Sequence, residues 1–119
     1  MAYLFISLAN LVGNALIILS ESEKREISFD KLSLYSDMVR QHFRNSEYTE
    51  ISLIDETYQK DLEDNYKEFF DIIKDSTYKT FRLNKAVSLG ELKETFQYPL
   101  YKHVYDALYS IEAKKVLLD

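Results

Sequence analysis

Apolar residues recur along much of this chain at steps of three and four, the spacing that lines one face of an α-helix. The least ambiguous run is Ile54 to Lys74, where Ile54, Tyr58, Leu62, Tyr66, Phe69, Phe70 and Ile73 fall on one side. That spacing predicts one amphipathic helix. Ser52 precedes it as a candidate N-cap, Asp55 and Glu56 stand where the helix dipole favours anions, and Lys74 stands at the opposite pole. On the outward side, Glu56 with Lys60 and Glu63 with Lys67 have i, i+4 spacing, each pair worth about 0.2–0.5 kcal/mol. Asp61, Asp64, Glu68 and Asp75 are left as a like-charged stripe.

Tyr3 to Leu19 is the most apolar run, broken by Ser7, Asn10, Gly13 and Asn14. Its 17 residues are at the short limit for a membrane span, and Met1 and Ala2 supply no basic lead for a secretory signal. Ser7, Asn10 and Asn14 would form one polar stripe on a helix otherwise covered by Leu, Ile, Val and Phe. Such a helix belongs in a core or in an interface between copies, so the expectation is no membrane role and a homo-oligomer joined through residues 3–19.

Residues 20–26 read as a charged loop. Ser28 then opens a second helix as N-cap, with Ile27 and Leu32 in staple positions and Tyr35, Met38, Val39 and Phe43 on one face. Residues 45–51 read as a loop with at most a short strand. Ile27-Ser28-Phe29, Ile51-Ser52-Leu53 and Val87-Ser88-Leu89 share one pattern, a β-branched residue, a serine and an apolar residue. The pattern is read as repeated use of one kind of helix start. At Ser88 the capping box is complete, since Glu91 follows three residues later and Leu92 takes the staple position.

Thr77 to Leu83 is rich in Thr, Tyr and Phe and is expected to be a strand. Ser88 to Gln97 reads as a short helix. Pro99 forces a break at Tyr98, helical period resumes from Leu100 to Glu112, and the KKVLL run of residues 114–118 is expected to close as a strand. The fold expected is mainly α, with α+β as the variant: about five helices and a minor two- or three-stranded sheet.

Composition narrows this picture. At 119 residues, 46% hydrophobic and 14% aromatic, the chain is one domain, residues 1–119, with enough apolar side chains for a single core. Two glycines and one proline are too few for a many-stranded sheet. Without cysteine there is no disulfide, thiolate nucleophile or cysteine metal cluster, which fits a cytoplasmic location.

The net charge of −5 is unevenly spread. Residues 1–45 hold five acids and five bases, residues 46–75 ten acids against Lys60, Lys67 and Lys74, and residues 76–119 five acids against seven bases. Either two parts of one fold complement each other, or the acidic middle meets a basic partner.

Catalytic spacings are missing. His42 and His103 are the only histidines and stand in no metal-binding spacing, so no metal or cofactor is expected. Glu91-Leu92-Lys93 matches the Glu-x-Lys element of some nucleases but falls in a helix whose cap occupies Glu91. Gly13 and Gly90 cannot build a phosphate loop. Among the ten tyrosines, Tyr101, Tyr105 and Tyr109 recur at steps of four, a stripe suited to a half-buried interface.

From Ile54 onward the expected order is helix, strand, short helix, tight turn, helix, strand. It resembles a winged helix that lacks its last strand, with VSLGELKETFQYPLYKHVYDALYSIEAKKVLL, the last quarter of the chain, as the matching stretch. The resemblance implies a DNA-binding regulator acting as a dimer, whose second helix of the pair would offer Lys102, His103 and Ser110 to DNA beside Asp106. That set is poor for a polyanion, and an acidic chain is not drawn to nucleic acid. Winged helices also serve as docking modules. The leading expectation is therefore a small non-enzymatic interaction or regulatory protein. It would engage a protein partner with a basic surface through Asp61, Asp64, Glu68 and Asp75, with Tyr101, Tyr105 and Tyr109 as a second contact stripe.

Overall fold

A buried helix near the N-terminus organises the molecule. The computed structural model describes residues 4–43, 49–51, 60, 64–74, 79–97 and 101–119. In order these form β1 (Leu4–Ile6), α1 (Leu8–Glu21), β2 (Glu26–Ser28), α2 (Phe29–His42), β3 (Thr49–Ile51), β4 (Phe70–Lys74), β5 (Lys79–Leu83), α3 (Leu89–Phe96), α4 (Lys102–Leu108) and α5 (Ile111–Leu118). The fold is mostly helical with a small three-stranded antiparallel sheet of order β2-β5-β4, beside a parallel pairing of β1 with β3.

Helix α1 is buried nearly all round, from Leu8 and Ala9 through Leu11 to Leu19, because α2, α3, α5 and β2 all pack against it. The core role expected for this run holds. From Leu8 to Leu19 nearly every side chain is buried within the subunit. The run is not helical throughout. Leu4–Ile6 is a strand held by β3, a partner from distant sequence, and Ser7 is the N-cap of α1 instead of part of a helical stripe. The helix ends in a Schellman turn, with the Glu23 N–H donating to Ser20 O at 3.0 Å and the Lys24 N–H to Leu19 O at 2.9 Å. Glu23 adopts the left-handed φ of 62° that this turn requires.

Serine starts four of the five described helices. The side chains of Ser7, Ser28, Ser88 and Ser110 accept from the backbone N–H of Asn10, Lys31, Glu91 and Ala113. Ser88 also donates to the Glu91 carboxylate at 3.3 Å, so the expected capping pair is present in a hydroxyl-to-carboxylate form. Ile6, Ile27 and Val87, each just ahead of its serine, are buried. The repeated pattern is therefore a junction at which the chain leaves the core edge and turns into a helix. Ser52 lies outside the described residues.

The central helix expected from Ile54 to Lys74 is corrected. Lys60, Asp64 and Asn65 are helical, residues 66–69 turn, and Phe70–Lys74 is strand β4. Phe69, Phe70 and Ile73 fit a helical face, yet aromatic and β-branched residues also suit a strand, and β5 supplies the partner that decides between them. Phe70 pairs in register with Leu83 and Ile72 with Phe81, while Ile27 of β2 meets Phe81 from the other side. Strand β5 falls inside the expected Thr77–Leu83 strand, of which Thr77 and Tyr78 lie outside the described residues.

Two further expectations change at the C-terminus. The helix expected from Leu100 to Glu112 is interrupted at Tyr109 and Ser110, because Ser110 caps α5. The KKVLL run is helical, not a strand: Ala113 and Leu117, four apart, are buried on one face of α5. Helices thus appear in α3 and α5 as well as α1, α2 and α4, but the set of five is not the one the spacing predicts.

Candidate interaction surface

Asp64 stands just ahead of the turn that leads into β4 and Glu68 within it, and both are exposed. Neither forms an ion pair with another described residue. Because the chain turns after Asn65, the acids are not a stripe on one continuous helix; Asp64 stands on helical backbone and Glu68 in the turn. Asp61 and Asp75 lie outside the described residues. The ion pairs between other described residues are exposed: Arg40 to Asp37 within α2 at 3.0 Å, Arg82 to Glu26 across β5 and β2 at 3.1 Å, and Lys93 to Glu21 at 3.5 Å.

Behind this acidic turn lies an aromatic cluster centred on Phe96. Its ring centroid is 5.5 Å from Tyr66, 5.7 Å from Phe69 and 5.2 Å from Phe70. Rings at such separations attract beyond their burial alone. The residues that carry the turn are therefore anchored from inside, while Asp64, Lys67 and Glu68 between them face solvent.

The tyrosine stripe divides. Tyr109 points inward, where its hydroxyl donates to Asn14 Oδ1. The amide of Asn14 donates in turn to Asn10 O at 2.7 Å and to Phe96 O at 3.3 Å, which satisfies a fully buried polar side chain. Burial pushes the Tyr109 phenol well above its ordinary value, against the lowering effect of a hydrogen bond with Gln97. Tyr35, also buried, donates to Leu108 O at 2.9 Å, and its phenol is raised by burial and then by Tyr109. Tyr109 is therefore structural. Tyr105 lies against it with ring centroids 4.5 Å apart and is 41% exposed, whereas Tyr101 is 63% exposed and stacks on His103 at 5.9 Å.

The residues considered for DNA contact are not brought together as a reading face. Lys102 and His103 are exposed in the first turn of the seven-residue α4, at the pole where the helix dipole disfavours cations. Ser110 is occupied, accepting from the Ala113 N–H at 3.2 Å and donating to Met38 Sδ at 3.7 Å. His103 meets the edge of Phe43 at 6.0 Å, so Phe43, His103 and Tyr101 form a ring cluster where the end of α2 meets the start of α4. That cluster joins residues sixty positions apart and has no signal in local spacing.

Among the described residues no group of three or more His, Asp or Glu is placed to hold a metal, and no helix is long and apolar enough to cross a membrane. The chain matches no protein-family model, no curated protein and no solved structure.

Proposed function

We propose that this is a small non-enzymatic interaction protein that occupies a basic surface of a protein partner through the acidic region entering the β4–β5 hairpin. The observation that carries the reading is the exposure of Asp64 and Glu68 without an ion pair among the described residues, on a turn anchored from beneath by Tyr66 and Phe69. Solvated carboxylates on a fixed support can meet a cationic surface with little ordering cost. The cysteine-free sequence is in keeping with a cytoplasmic site of action.

The order of elements adds to this reading. Helix α1, strand β2, helix α2 and the hairpin β4–β5, with β5 between β2 and β4, resemble part of a winged helix in their order. DNA readers of this type use the second helix of a pair. The stretch of this sequence between β3 and β4, residues 52–69, holds six acids against Lys60 and Lys67. Phosphate would be repelled there, and a basic protein surface would be attracted.

The test is affinity capture from the native host followed by mass spectrometry, with the wild-type chain beside the triple variant Asp61→Lys, Asp64→Lys, Glu68→Lys. The reading expects the variant to fold as the wild type does and to lose the captured partner. Equal capture by both chains would overturn it, as would a gel shift of duplex DNA at low salt that survives competitor.

A further inference from the structure

We draw no further inference here: the strongest candidate, the ring cluster of Phe43, Tyr101 and His103 where the end of α2 meets the start of α4, carries nothing because nothing in the structure shows what covers it.

Discussion

The ring of Phe96 rests directly on the backbone of Gly13, so that a Cβ at Gly13 would stand 2.3 Å from Phe96 Cγ. This close approach joins α3 to α1 and places Phe96 at the centre of its aromatic neighbours. Gly13→Ala is expected to destabilise the fold by about 1–3 kcal/mol through overpacking, because Cγ lies near the fixed end of the side chain. Phe96→Ala is expected to cost about 3–5 kcal/mol. Since the two residues share one contact, Gly13→Ala combined with Phe96→Ala should be less harmful than the two single costs added. Urea denaturation of the four chains checks this, and strict additivity would show that the contact is not shared.

A second expectation concerns Asn14 and Tyr109. Tyr109→Phe removes the donor to Asn14 Oδ1 and leaves a buried acceptor unpaired, at about 1–3 kcal/mol. Asn14→Ala also strands Phe96 O and should cost at least as much. In a double-mutant cycle the pair should show a coupling above about 0.5 kcal/mol. A coupling near zero would mean that the two side chains do not meet in solution.

Alkaline pH should unfold the protein for the same reason. Tyr35 and Tyr109 are acids held neutral by burial, so their folded values lie above the unfolded value of 10.0. Above that pH the unfolded chain releases protons that the folded chain retains. Stability therefore falls as pH rises, and is fully present below about 10. Thermal melts across that range should show the loss, with a shallower slope for Tyr109→Phe, while near-ultraviolet titration should show these phenols ionising together with unfolding.

Glu23 offers a change in the opposite direction. A residue other than glycine in the left-handed region costs about 1–2 kcal/mol, partly offset in glycine by its greater unfolded entropy. Glu23→Gly is expected to raise stability by about 0.5–1 kcal/mol, read as a higher melting temperature. No gain would indicate that Glu23 makes a compensating contact.

Legibility of the fold in the sequence followed how local each decision was. Ser28 and Ser88 were visible because an N-cap is settled within three residues, and Ile6-Ser7-Leu8 carries the same pattern but was masked by the apolar run around it. Phe70–Lys74 reads as helix because its aromatic and β-branched residues satisfy both periods, and only the pairing with β5 distinguishes them. The break at Tyr109 is set by Ser110, whose N-cap of α5 lies hidden inside an otherwise helical period. On the candidate surface, charge pointed to Asp64 and Glu68 directly. The inward turn of Tyr109 and the meeting of Phe43 with His103 are products of tertiary packing.

The enclosure of α1 has a consequence for synthesis. Its cover includes Phe96, Tyr109 and helix α5, all made long after Leu19 has left the ribosome. At translation rates of about 5–20 residues per second, the nascent apolar helix waits on the order of ten seconds for its last neighbours. Cell-free synthesis of a chain stopped after Leu83 should therefore yield aggregate or chaperone-bound product where the full chain stays free. A soluble, cooperatively melting truncation would mean that the first helix finds shelter without the last three.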